Sequence, residues 1–352
     1  MPLLEVKDLS VQFATDDGVV RAVDGVSYSV DAGRSLGIVG ESGSGKSVTN
    51  LSVLGLTRAA NASFSGEVLF EGRDLLKMSE EELRKVRGEE IAMIFQDPLS
   101  SLHPFYRVGD QLIEAVRAHH DVSKKAAKDR AIEMLQLVNI PEPRSRVDAW
   151  PHEFSGGMRQ RAMIAMALIN SPKLLIADEP TTALDVTVQA QILELIERLQ
   201  AETGTSVIMI THDLGVVAEM THEIAVMYAG RIVEHATTAE LFAAPQHPYT
   251  WGLLRSIPRL DSPRDEELVP IDGRPPSLIT RPPGCAFHPR CAFVREAHKR
   301  VDPRLEPVDG RADHEVACLL MQRTRDQLWQ RLAAGEPPDR ARAAVPLGDS
   351  VE

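Results

Sequence analysis

Short apolar runs recur along the first two thirds of the chain: Leu36-Gly37-Ile38-Val39, Leu174-Leu175-Ile176-Ala177, and Val207-Ile208-Met209-Ile210 after Ser206. Runs of this length, bounded by polar residues or glycine, read as strands buried on both faces. Residues 186–200 and 124–138 have helical spacing instead, and in the second Ile132, Leu135 and Val138 share a face. Residues 66–72 alternate like a small strand, and Ser79-Glu80-Glu81-Glu82 predicts a capping box opening a charged helix. Strands alternating with helices predict an α/β fold with parallel strands. From about Pro245 the texture turns proline-rich and loop-like and continues past Pro307, which predicts a boundary and a small appended domain without a large core of its own.

Composition adds limits to this picture. The 352 residues suffice for more than one domain, and 43% hydrophobic with 26% charged residues is ordinary for a globular protein. The start, MPLLEVKDLS, lacks a basic region followed by an apolar run, and no window approaches the roughly 18 apolar residues of a membrane span. The chain is therefore expected to stay in the cytoplasm and to reach a membrane only through partners. Thirty-nine basic against fifty-one acidic residues give a net charge of −12, which disfavours nucleic acid as a partner. Three cysteines, all after residue 284, do not make a disulfide framework and leave metal binding or inert burial as their roles.

The first apolar strand feeds Gly40, Glu41, Ser42, Gly43, Ser44, Gly45, Lys46 and Ser47, which match the phosphate-loop pattern G-x-x-x-x-G-K-[ST]. Glycines there let successive N–H groups face phosphate oxygens, and the following helix offers its positive end. Lys46 would reach the β- and γ-phosphates, and Ser47 would ligate Mg²⁺. Asp178 and Glu179 end a second apolar strand, where carboxylates emerge at a sheet's carboxyl edge. Asp178 suits the metal and Glu179 the activation of water.

Phe154-Ser155-Gly156-Gly157-Met158-Arg159-Gln160 resembles the signature sequence of the ABC ATPase family. Gln96 in Ile94-Phe95-Gln96-Asp97-Pro98 resembles the Q-loop, Ala183-Leu184-Asp185 the D-loop, and Thr211-His212-Asp213 the switch histidine, all in family order. The resemblance implies an ABC-type α/β ATPase domain over residues 1–244, with a helical subdomain at about 97–171. It implies ATP and Mg²⁺ as cofactors, with Gln96 joining Ser47 and Asp178 around the metal and with Lys46, Gln96, Glu179 and His212 as catalytic residues. Phe13 stands where the family stacks an aromatic on adenine, with a core phenylalanine as the alternative. Ser155, Gly156, Gly157 and Asp185 would close on the nucleotide of a second ATPase subunit, identical or related. The family's usual Leu and Gln at the ends of the signature are Phe154 and Met158 here, so any contact from a glutamine side chain is absent. The loop QDPLSSLHPFY, at 96–106, lies where ABC transporters meet their membrane subunits.

Residues 245–352 resemble the tail of oligopeptide, dipeptide and nickel importer ATPases through His247-Pro248-Tyr249-Thr250, Leu253-Leu254-Arg255-Ser256-Ile257-Pro258 and Gly273-Arg274-Pro275-Pro276. In that family four tail cysteines hold a [4Fe–4S] cluster in some members. Cys285, Cys291 and Cys318 match, with His298 at the remaining place, so a metal-binding extension spanning 285–318 is one expectation. Zinc is an alternative, although five residues separate Cys285 from Cys291, and packed free thiols are another. The chain is thus expected to be the ATP-hydrolysing subunit of a peptide importer on the cytoplasmic face of the membrane. Its expected partners are two integral permease subunits, a second ATPase subunit and, through the complex, an extracytoplasmic binding protein. Import of nickel or another small solute, a soluble non-transport ABC ATPase, and a small-molecule kinase are the rival readings.

Overall fold

The computed structural model describes residues 1–97, 101–181, 185–257 and 270–346. Within those limits the chain forms two compact units, one from Met1–Leu4, Val30–Ser35 and Leu69–Ile210, the other from Glu5–Ser29, Leu36–Val68 and Thr211–Glu352. In chain order the strands are β1 (Leu4–Thr15), β2 (Gly18–Val30), β3 (Ser35–Val39), β4 (Ala62–Phe70), β5 (Arg73–Asp74), β6 (Ile91–Ile94), β7 (Leu174–Asp178), β8 (Ser206–Thr211), β9 (Glu223–Tyr228), β10 (Arg231–Thr237), β11 (Glu306–Val308) and β12 (Arg311–Val316).

In the first unit, β6, β7 and β8 run parallel, with Ile91 beside Leu174 and Leu174 beside Ser206. Every residue of β7 is buried, as its unbroken apolar run predicts. Because Ile94 pairs with Ala177, the chain leaves β6 and β7 at one edge, placing Gln96 next to the Asp178-Glu179 end. The helices Val108–Arg117, Lys124–Leu137 and Gly156–Leu168 pack against one another. The second of them buries Leu135 and, at its cap, Val138, as predicted, together with Ala127 and Ala131; of the predicted face only Ile132 is half-buried. Two arginines close the C-terminal end of that helix: Arg161 donates to Val138 O at 2.9 Å and Arg198 to Leu137 O at 2.8 Å. The predicted capping box is present, with Glu82 N–H on Ser79 Oγ at 3.3 Å and Ser79 N–H on Glu82 Oε2 at 2.8 Å.

In the second unit β3 lies parallel to β9, Leu36 beside Glu223 and Val39 beside Val226. β10 is antiparallel to β9, and β12 adds antiparallel to β10, with β11 at the outer edge. The strand expected at 66–72 starts earlier, as β4, and ends in a turn where Glu71 and Gly72 have φ 47° and 78°.

The proline-rich tail is more ordered than its texture predicts. It contributes β11, β12 and the helices Pro248–Arg255, Gln322–Ala333 and Pro338–Ala344. Trp251, Phe293, Leu320, Leu328, Leu332, Ala341 and Val345 make a buried apolar cluster, so this segment has a core of its own. A carboxylate ties it to β10: fully buried Glu234 accepts N–H bonds from Gln246 at 2.6 Å and His247 at 2.9 Å, and a third from His314 Nε2 at 2.9 Å. Burial of a carboxylate is tolerable because three donors replace its water.

Leu328→Ala opens a cavity in that cluster, and a loss of about 2–5 kcal/mol in chemical unfolding of the full chain is the expected outcome. A change below about 0.5 kcal/mol would mean that the tail's core contributes nothing to stability.

Candidate functional site

The phosphate loop begins where fully buried β3 ends. Gly40, Gly43 and Gly45 have φ of 152°, 77° and 103°. A Cβ at Gly40 would stand 2.2 Å from Met227 O, and one at Gly45 would stand 2.4 Å from Ala22 O. At these two positions close backbone approach requires glycine. Around Gly43 nothing lies within 4 Å of a Cβ, and nearby Ser44 Oγ is buried without a hydrogen-bond partner. The loop therefore offers both open space and an unmet polar group, which fits phosphate oxygens as the missing ligand. Lys46 is 5% exposed and donates to Gly40 O at 2.6 Å and Glu41 O at 3.0 Å. Ser47 is the second residue of the helix Lys46–Val53.

At the carboxyl edge of β7, Asp178 is buried and Glu179 half-buried. Gln96 Nε2 donates to Glu179 Oε2 at 2.9 Å, so the structure brings together two residues that lie far apart in sequence. Glu179 has φ 47°, a left-handed conformation that costs a non-glycine residue about 1–3 kcal/mol and is held by its N–H on Ile210 O at 2.8 Å. Strain of this kind is concentrated at functional positions. His212 is exposed just past the end of β8, where Asp213 caps the following helix through Gly215 N–H at 2.8 Å. Phe13 lies half-buried on β1.

The signature residues open the helix Gly156–Leu168, with Ser155 as its cap through Met158 N–H at 3.3 Å. Ser155 and Gly156 are exposed, whereas a Cβ on Gly157 would press to 3.2 Å on Val188 Cγ1. Phe154 is 2% exposed, which accounts for an aromatic at the signature's first place: it is a core side chain. Gln160, which sequence reasoning passes over, is equally buried and donates to Pro180 O beside Glu179. Asp185 caps the helix Val186–Thr203 through Val188 N–H at 3.0 Å. Ala183 and Leu184 of the D-loop motif, Pro98 after the Q-loop and Pro258 of the tail motif lie outside the described residues.

The metal expectation for the tail is not met. Among the described residues no three His, Cys, Asp or Glu side chains form a set that could hold a metal ion. Cys291 and Cys318 instead pack against the apolar cluster of the tail. Burial pushes the Cys318 thiol up to about 12, and burial followed by the neighbouring Cys318 pushes Cys291 up as well. Cys285 is raised by burial too. His298 turns Nδ1 toward Arg295 N–H at 3.2 Å, and burial lowers its pKa.

The fold is that of ATP-binding cassettes. A dimeric post-hydrolysis structure of the cassette MJ0796 with ADP and Pi superposes with a TM-score of 0.60 at 26% identity, over 67% of this chain and 98% of that one. A cassette from the Clostridium perfringens cbiONQ transporter gives 0.58 at 28% identity, over 69% and 91%. The ABC transporter family model matches residues 23–182, and the model of the oligopeptide/dipeptide transporter C-terminal region matches 233–297. The oligopeptide transport ATP-binding protein OppD of Bacillus subtilis is 52% identical over 97% of this chain and 94% of its own length. The dipeptide transport ATP-binding protein DppD of the same organism is 55% identical over 90% and 94%. The chain belongs to the ATP-binding proteins of ABC transporters, and within them to the oligopeptide/dipeptide group. No helix among the described residues is long and apolar enough to cross a membrane.

The two kinds of glycine in the loop predict different outcomes. Gly45→Ala must displace backbone and is expected to lower stability by at least about 2 kcal/mol, whereas Gly43→Ala meets only its positive φ and costs about 1 kcal/mol. Urea unfolding midpoints of the two full-length variants check this; equal midpoints would contradict the contact at Ala22.

Proposed function

We propose that this ATPase powers the import of di- or oligopeptides as the nucleotide-hydrolysing subunit of an ABC transporter. The observation that carries the reading is relatedness to peptide-transport ATPases that runs through the tail as well as the cassette, since the tail is what distinguishes this branch. It supports residues 1–244 as the ATPase domain and 245–352 as the branch-specific extension. The partners are two integral permease subunits, a second ATPase subunit and an extracytoplasmic binding protein, with the chain peripheral on the cytoplasmic face of the membrane.

In this reading the amides of the loop at 40–47 bind the phosphates of ATP, and Lys46 leaves its carbonyl partners for the β- and γ-phosphates. Oxygen donors from Ser47, Gln96 and Asp178 suit a hard ion such as Mg²⁺, which would supply positive charge against that of the phosphates. Glu179 orients and deprotonates the attacking water, and its bond to Gln96 holds the carboxylate in place. His212 contacts the γ-phosphate, and Phe13 stacks on the base. The exposed Ser155 and Gly156, with Gly157 and Asp185, face the nucleotide of the second subunit.

Glu179→Gln in the assembled transporter is expected to bind ATP while turning it over about 10²–10⁴-fold more slowly. Uptake of a labelled tripeptide by cells should fall in step, with nickel uptake unchanged. Near wild-type hydrolysis would remove Glu179 from this role, and loss of nickel but not peptide uptake would overturn the cargo assignment.

A further inference from the structure

The stretch between the tail cysteines holds an arginine that reaches into the phosphate loop. Arg290 has a side chain only 3% exposed, and its guanidinium forms a fork with Glu41, Nη1 to Oε2 at 2.6 Å and Nη2 to Oε1 at 3.0 Å. The remaining donors are used as well: Nε on Asp272 O at 2.8 Å, Nη2 on Ile271 O at 3.2 Å and Nη1 on Tyr228 Oη at 3.5 Å. The rings of Tyr228 and Phe287 stand 5.8 and 5.9 Å from the guanidinium. A planar group with every donor satisfied and aromatic neighbours is held in one geometry.

The partner is equally constrained. Glu41 is the second residue of the loop, its N–H donates to Tyr249 Oη at 2.8 Å, and its carbonyl receives Lys46. Tyr249 also comes from the tail, on the helix Pro248–Arg255. One residue of the loop is thus held at its carboxylate and N–H by the tail, and at its carbonyl by the lysine that binds phosphate.

We propose that Arg290 is a positioning residue for nucleotide binding: through Glu41 and together with Tyr249, the C-terminal extension preorganises the phosphate loop and so sets the affinity for ATP. The proposal rests on the nucleotide reading of the loop. A loop already in its binding shape loses less conformational freedom when phosphate arrives, so loosening the frame weakens binding without touching a group that contacts the ligand.

Fluorescent ATP analogue with Mg²⁺ is titrated into the full chain and its variants, well below each unfolding midpoint. Arg290→Gln is expected to raise Kd at least about tenfold, and Arg290→Lys, which keeps the charge but not the fork, about threefold. Glu41→Gln/Arg290→Gln should bind no more weakly than Arg290→Gln alone, because both changes break one interaction. Leu328→Ala, which loosens the tail elsewhere, should leave Kd within about twofold of wild type. Wild-type affinity in Arg290→Gln overturns the proposal, or in Arg290→Lys if the first variant does not fold. So does a loss in Leu328→Ala as large as that in Arg290→Gln, which would make Arg290 a stabiliser of the tail only. Lys46→Ala separates the two readings: if it binds as well as wild type, the nucleotide reading falls and this proposal with it. If it loses binding while the Arg290 variants keep theirs, only the proposal falls.

Discussion

The phosphate loop depends on one close backbone approach, Gly40 against the carbonyl of Met227 near the end of β9. Only a residue without a Cβ lets the chain leave β3 and turn across its neighbour strand at this distance. The contact has a companion one turn later, where Gly230 N–H donates to Ser44 O at 2.9 Å. That donor sits in a turn in which Ala229 and Gly230 both have positive φ, at 49° and 82°. The loop is therefore moulded on the β9–β10 corner, and its shape is inherited from the sheet rather than from its own eight residues.

That inheritance links the tail to the loop by a short physical path. β10 leaves the same corner and carries Glu234, whose buried carboxylate gathers N–H groups from Gln246, His247 and His314. The helix after His247 then presents Tyr249 to Glu41, while Tyr228, the last residue of β9, lies beside Arg290. Glu234 and Arg290 solve the same problem with opposite sign. Each is a buried charge whose water has been replaced by a full set of partners, and such groups are expensive to leave half-paired, by roughly 3–5 kcal/mol. Their geometry is for that reason specific, and it fixes the tail relative to the strands that shape the loop.

What the sequence shows and what it hides follow from the range of the forces involved. Local patterns were legible: the apolar run of β7, the capping box at Ser79, and a phosphate loop whose glycines and lysine are fixed in type and spacing by backbone geometry. The tail misled because proline was weighed as a loop former. Pro248 and Pro338 begin helices, where a missing N–H costs nothing, and Pro307 lies on β11 at the edge of its sheet. The cysteines drew attention as metal ligands, yet Cys291 and Cys318 pack as small apolar groups, and the residue that reaches the loop is Arg290, just before Cys291. No spacing rule connects positions 41 and 290. Their pairing exists only because the tail folds back on β10, a tertiary event that leaves no periodic trace.

The resting position of Lys46 gives the frame around Glu41 its physical meaning. Its ammonium, almost wholly buried, donates to the carbonyl oxygens of Gly40 and Glu41. A phosphate oxygen carries more negative charge than a carbonyl oxygen, so in the nucleotide reading of the loop a phosphate is a stronger acceptor for the lysine than either carbonyl. The exchange is cheap only if the two carbonyls stay in place while the side chain swings. The peptide between Gly40 and Glu41 meets that condition, since its oxygen faces Lys46 and its N–H is held by Tyr249 at 2.8 Å. In that reading the lysine can turn toward a phosphate while the peptide beside it stays in place.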